Sequence, residues 1–205
     1  MDFQNMTLGQ FTELLASKAA TPGGGGASAM AGALGAALGA MVGNLTVGKA
    51  KYAAVEDEMR DLTRRAQALS DRLLAMIDRD AEAFLPLSQA YALPKDAPDR
   101  EDIMEACLRR AAEAPMEILR LCCEGVELME AFAQKGSALA VSDAATGAAL
   151  CRGAMYGAAV NVKVNTKLMK RRDYADEVNR ETDALVGEYR KRAEKVYEDI
   201  YGRYC

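Results

Sequence analysis

Thirty consecutive residues, Ala19 to Gly48, carry no charge, and near their start stands TPGGGG (Thr21 to Gly26). Glycine loses more backbone freedom on folding than any other residue, so a run of four is unfavourable as ordinary structure. It is tolerated where a backbone turns sharply or comes very close to something else. ASAMAGALGAALGAMVGNLTV follows, and then the two lysines of GKAKY (Gly48 to Tyr52). Met30, Leu34, Leu38, Met41 and Leu45 recur at helical spacing as one apolar ridge. Gly32, Gly35, Gly39 and Gly43 form a second stripe, bare of side chains, along which another backbone can pack. The window reads as a ligand-binding glycine loop mounted on a helix that is apolar all round and buried. Its length and small-residue spacing also fit a membrane span. Alanine and glycine dominate it, however, so the expectation is a buried helix of a soluble protein with no membrane contact.

The rest of the chain repeats the helical period and offers no convincing alternation of strand type. Helices are expected over Leu8 to Ala19, Ser28 to Thr46, Ala54 to about Tyr91, Arg100 to about Phe132, Asp143 to Met169 and Asp173 to Tyr204. Pro94, Pro98 and Gly136-Ser137 mark breaks, and Pro115 is expected to kink or divide the fourth helix by removing a donor. The fold class is all-α, a single-domain bundle of about six to eight helices over 1–205.

Composition removes several kinds of function. The 205 residues contain no histidine, which excludes Ser-His-Asp and Cys-His triads and the common zinc sites. Acid–base chemistry must then come from a carboxylate, lysine, tyrosine, cysteine or water, and no metal site is expected. A net charge of −4 gives no footprint for nucleic acid. Five cysteines without a CxxC pair, and no secretory start, fit a reduced, cytoplasmic protein. Gly43 to Lys49 matches GxxxxGK, but Ala50 stands where a P-loop needs a hydroxyl and no strand precedes it. The GGGG run likewise lacks the strand and spacing of a dinucleotide-binding turn.

Two helices break their own apolar rule. In the third, Met59, Leu62, Ala66, Leu69, Leu73 and Met76 face inward, and the same line continues through Asp80 to Phe84 and Leu87. A carboxylate on a core-facing line is either satisfied by a cationic partner or helix end, or raised in pKa toward proton transfer. The pattern leaves both open. In the fifth helix Ala154, Ala158, Asn161, Asn165 and Leu168 share a face, placing two amides on an apolar line. Ser142 is expected to cap that helix. Downstream, Lys163, Lys167, Lys170, Arg171 and Arg172 make either a solvated face or a clamp for a polyanionic ligand.

Three segments in register resemble one family. TPGGGG-ASAMAGALGAALGAMVGNLTVGKAKY, DRDAEAF (Asp78 to Phe84) with ALPKD (Ala92 to Asp96), and SDAATGAALCRGAMYGAAVNVKVN (Ser142 to Asn165) are similar to the signatures of the cyclodeaminase/cyclohydrolase domain. That domain forms the C-terminal half of formiminotransferase-cyclodeaminase and also occurs alone as a methenyltetrahydrofolate cyclohydrolase. The likeness covers nearly the whole chain, and no channelling between two halves of one chain is expected. It implies an all-helical homodimer with folate sites involving both subunits, a tetrahydrofolate derivative as substrate, and no cofactor. It assigns catalysis to Asp80, and substrate contact to Gly23, Gly24, Gly25, Gly26, Lys49, Lys51, Tyr52, Asp143, Asn161 and Asn165. Lys163 and Lys167, one turn apart beside those amides, are candidates for the glutamate tail. Where relatives end PGGGS in serine, this chain has Gly26 and no hydroxyl to offer.

Overall fold

A computed structural model describes residues 2–205. It contains six α-helices: α1 (Leu8–Leu15), α2 (Gly24–Asn44), α3 (Glu56–Ala90), α4 (Arg100–Lys135), α5 (Val141–Leu168) and α6 (Arg172–Tyr201). Short 3-10 turns at Phe3–Asn5 and Ala50–Val55 complete it, and no strand occurs among the described residues. A capping box opens α1, with Thr7 accepting from the Gln10 N–H and Gln10 reaching back.

The centre of the bundle is α2. It lies between α3 and α5, with α4 behind it and α6 outside α4 and α5. It runs antiparallel to both flanking helices. Gly26 faces Ile77 and Gly43 faces Thr63 along α3, whereas Gly24 faces Asn161 and Gly35 faces Cys151 along α5. The glycine stripe makes this packing possible. A Cβ at Gly35 would lie 2.7 Å from the Cys151 sulfur and 2.9 Å from the Gly147 carbonyl. One at Gly39 would run into Met129 and Phe132. Backbone thus meets backbone, and the large residues of α3 and α4 fill what is left. Met59, Leu69, Leu73, Ile118, Leu119, Met129 and Phe132 are essentially fully buried.

This corrects the expectation that α2 is buried all round. The bare glycine stripe points inward and the ridge points out, with Leu34 49%, Met41 47% and Leu45 42% exposed. By length and composition α2 could cross a membrane, yet twelve of its residues, mostly Gly and Ala, are buried inside the bundle.

Two expectations about helix ends also change. Gly24, Gly25 and Gly26 form the first turn of α2 rather than a loop before it; only Gly23, the N-cap, lies outside. Ala140, not Ser142, is the N-cap of α5, and no side chain caps it. Pro115 does not divide α4, which runs unbroken over 36 residues.

Candidate active site

The site forms where the start of α2 meets the C-terminal third of α3 and the last turns of α5. Gly23 has no side chain with which to cap α2, so the first-turn N–H groups need another acceptor. Asp80 of α3 supplies it, its carboxylate accepting from the Gly26 N–H. A Cβ on Gly25 would overlap that carboxylate, and one on Gly24 would lie 3.0 Å from the Asn161 amide. Those two glycines are therefore glycine because protein groups occupy the space. The close approach foreseen for a ligand is made first by Asp80 itself. At Gly26 a Cβ would make only ordinary contact with Ile77 and Pro22, at 3.4 Å.

Around Asp80 is a cavity of about 210 Å³. Gly23, Gly24 and Gly25 line one side, Asn161 and Asn165 the opposite side, and Phe84 and Pro115 supply apolar wall. Among the described residues Asp80 is the only ionisable one that lines it. Burial pushes this carboxyl up to about 6, and the Gly26 N–H opposes the shift. An acid in that range exchanges protons readily at neutral pH. Asp78, two residues earlier, does a different job: buried, it accepts from the Phe3 N–H at 2.9 Å and ties the N-terminal segment to α3.

Each amide opposite has its nitrogen committed to backbone. Asn161 Nδ2 donates to the Gly157 carbonyl at 2.8 Å, and Asn165 Nδ2 donates to the carbonyls of Ala111 (2.9 Å) and Asn161 (3.0 Å). The Ala111 carbonyl is available because Pro115, four residues on, has no N–H to give it. Sequence reasoning took Pro115 only as a helix breaker and missed its place in the wall. The signal was present, since a proline inside a helix names the carbonyl it leaves free.

The sequence profile of the formiminotransferase-cyclodeaminase family matches residues 7–184. This chain belongs to that family. It is similar to a methenyltetrahydrofolate cyclohydrolase of Methylorubrum extorquens, 38% identical over 96% of each chain. It is also similar to the formimidoyltransferase-cyclodeaminase of Gallus gallus, 32% identical over 78% of this chain and 30% of that one. The chain thus spans about a third of the length of such longer relatives. The crystal structure of a formiminotetrahydrofolate cyclodeaminase from Thermotoga maritima matches it with a TM-score of 0.85. The two are 29% identical, over 97% of this chain and 98% of that one.

The remaining family-implied residues lie elsewhere. Lys49, Lys51 and Tyr52 sit beyond the C-terminal end of α2, a helix of 21 residues, hence roughly 30 Å from Asp80 at 1.5 Å per residue. There Lys49 Nζ donates to Ser137 Oγ at 3.1 Å, and the Tyr52 hydroxyl accepts from the Ala138 N–H at 3.0 Å. That N–H, with Ser137 and the two lysines, holds the half-buried Tyr52 phenol below its ordinary pKa. Asp143, half-buried in the first turn of α5, follows the same loop. Within one chain this cluster and the Asp80 cavity do not meet.

Lys163 and Lys167 turn toward α6 rather than into the cavity. They border an apolar groove between α5 and α6 that shares Val164 with the cavity. Lys163 is held there by Asp183 at 2.8 Å and the Asn179 carbonyl at 3.2 Å. Most of the following basic run is structural. Lys170 pairs with Glu101 and Arg171 with Asp102, while Arg172 donates to the last carbonyls of α5, those of Thr166 and Met169. Leu168, expected beside the amides on the inner face, is half exposed. No group of three or more His, Cys, Asp and Glu side chains suited to a metal ion occurs among the described residues.

Proposed function

We propose that this chain hydrolyses methenyl-tetrahydrofolate to 10-formyl-tetrahydrofolate. One observation carries the reading: a carboxyl with a pKa of about 6 is, among the described residues, the only ionisable group lining the cavity of a chain 38% identical to a cyclohydrolase. The substrate carbon bridges two nitrogens and carries amidinium character. The Asp80 carboxylate stabilises that cation and takes a proton from the attacking water. Water oxygen bonds to the bridging carbon, one carbon–nitrogen bond breaks, and Asp80 returns the proton to the nitrogen that leaves; the adduct's hydroxyl gives its remaining proton to solvent as the carbonyl forms, so one proton is released overall and the cation's charge with it. The formyl group stays on the other nitrogen.

A second reading has its own support, the 0.85 TM-score to a formiminotetrahydrofolate cyclodeaminase. Ring closure of formimino-tetrahydrofolate with loss of ammonia needs a similar proton shuttle at the same carbon. Purified protein given methenyl-tetrahydrofolate should abolish its near-ultraviolet absorbance faster than buffer does. Ammonia release from formimino-tetrahydrofolate, with no effect on the methenyl compound, would select the second reading.

The working unit in this proposal is a cytoplasmic homodimer. A two-fold axis crossing the middle of α2 would set its outward ridge on that of a second copy, antiparallel. Leu34, Met41 and Leu45 would be covered, and the Lys49–Tyr52 end of each copy would stand beside the Asp80 cavity of the other. The folate tail would leave the cavity over Val164 into the groove bordered by Lys163 and Lys167.

A further inference from the structure

The two asparagines of α5 present one face of their amides to the cavity, and the structure fixes which. A backbone carbonyl can only accept, so each NH2 group must be the end that faces it. Asn161 is locked by the Gly157 carbonyl and Asn165 by two carbonyls, including the one Pro115 leaves free. The oxygens are what remain. Among the described residues neither Oδ1 accepts a hydrogen bond, although Asn165 is nine-tenths buried. Across the cavity the Asp80 carboxylate is a further acceptor. A ligand seated here leaves these oxygens unpaired unless it brings N–H donors, and an unpaired buried polar atom is costly.

We infer that Asn161 and Asn165 are specificity-determining residues that accept hydrogen bonds from the donor edge of a reduced pterin, its ring N–H and 2-amino groups. This rests on the folate reading above and gives the substrate a direction. The pyrimidine edge carries adjacent donors, whereas the glutamate tail carries acceptors at neutral pH and would be rejected by the same oxygens. The ring therefore enters first and the tail stays out over Val164.

The test is binding of tetrahydrofolate and of its analogue with a methyl group in place of the 2-amino group, to the wild-type chain, Asn161→Ala and Asn165→Ala. The wild type should bind the analogue roughly ten- to a hundredfold more weakly, as expected when a buried acceptor is left unpaired. The variants should weaken binding of tetrahydrofolate while discriminating less between the two ligands. Asn165→Ala also strips a partner from the Ala111 carbonyl and can unfold; Asn161→Ala, only half-buried, then carries the comparison. Equal affinity of the wild type for both ligands, or full discrimination by folded Asn161→Ala, overturns the inference. Turnover of methenyl-tetrahydrofolate measured alongside separates the two failures. A wild type that turns it over yet ignores the 2-amino group contradicts only the assignment to these amides. One that neither binds nor converts folates removes the reading beneath it too.

Discussion

The two ends of α2 are built on opposite plans. At its start, a bare glycine turn lets a carboxylate from α3 reach the helix N–H groups inside a narrow cavity, with amides opposite and no cation lining the wall. Past its end, Lys49 and Lys51 lie open to solvent, with the half-buried Tyr52 beside them, around the loop that leads into α5. The first end has a carboxyl raised toward neutrality with no cation beside it; the second has cations without enclosure. Each supplies what the other lacks, and an outward apolar ridge joins them.

The largest effect is expected at Asp80. Asp80→Asn should keep the fold and lower turnover by about 10²–10⁴-fold, the usual span for a lost general acid–base. It should also be more stable than wild type at pH 8. The folded-state pKa of about 6 lies above the ordinary 3.8, so the acid stabilises the fold at low pH and loses that contribution as pH rises through about 6. The gap should approach about 3 kcal/mol at pH 8, at roughly 1.4 kcal/mol per unit, and close near pH 4. Denaturant melts at both pH values measure it; a variant equally or less stable at pH 8 would mean that Asp80 is held as a structural anion.

Gly25→Ala should come next. Its Cβ must displace the Asp80 carboxylate, and a misplacement of that kind costs about 10²-fold in rate. Adding Asp80→Ala should restore the stability that Gly25→Ala alone loses, while activity stays low. Additive stability losses would show that the two residues do not compete for one space.

Subunit sharing is tested by mixing. Lys49→Ala with Tyr52→Phe should impair activity, yet co-expression with Asp80→Asn should recover about a quarter of the wild-type rate, since half the dimers would carry one intact site of two. No recovery, with hybrid dimers demonstrated by light scattering and mass, would place each site within one chain.

The smallest effect belongs to the α5–α6 groove. Lys163→Ala with Lys167→Ala should raise KM a fewfold, more for polyglutamate than monoglutamate substrate, and added salt should erase the difference because exposed charges are screened within about 10 Å at 0.1 M. Equal constants for both substrates would leave these lysines only their contacts with α6.

The sequence made the helices legible almost to their ends, because apolar periodicity reflects burial directly and this bundle is built from little else. Asp80 stood out for the same reason, as a charge on the line of Met59, Leu73 and Met76. The glycines were harder. A glycine that permits a turn and one that makes room for a neighbour look the same in a sequence, so Gly24 to Gly26 read as a loop when they are helix. The ridge of α2 was also ambiguous. Two stripes share one period, and only packing decides that Gly35 faces Cys151 while Leu34 faces out. Ser142 lost the cap because the turn at Ser137 to Ala140 starts α5 two residues earlier.

The role proposed for Asp80, raised by burial, as proton acceptor for hydrolysis is read from kcat/KM for methenyl-tetrahydrofolate against pH from 4.5 to 8. The wild type should gain activity with rising pH through a single limb near 6, where the carboxylate forms, and Asp80→Asn should show a low rate without that limb. An Asp80→Asn profile that keeps the same limb and height would contradict the account.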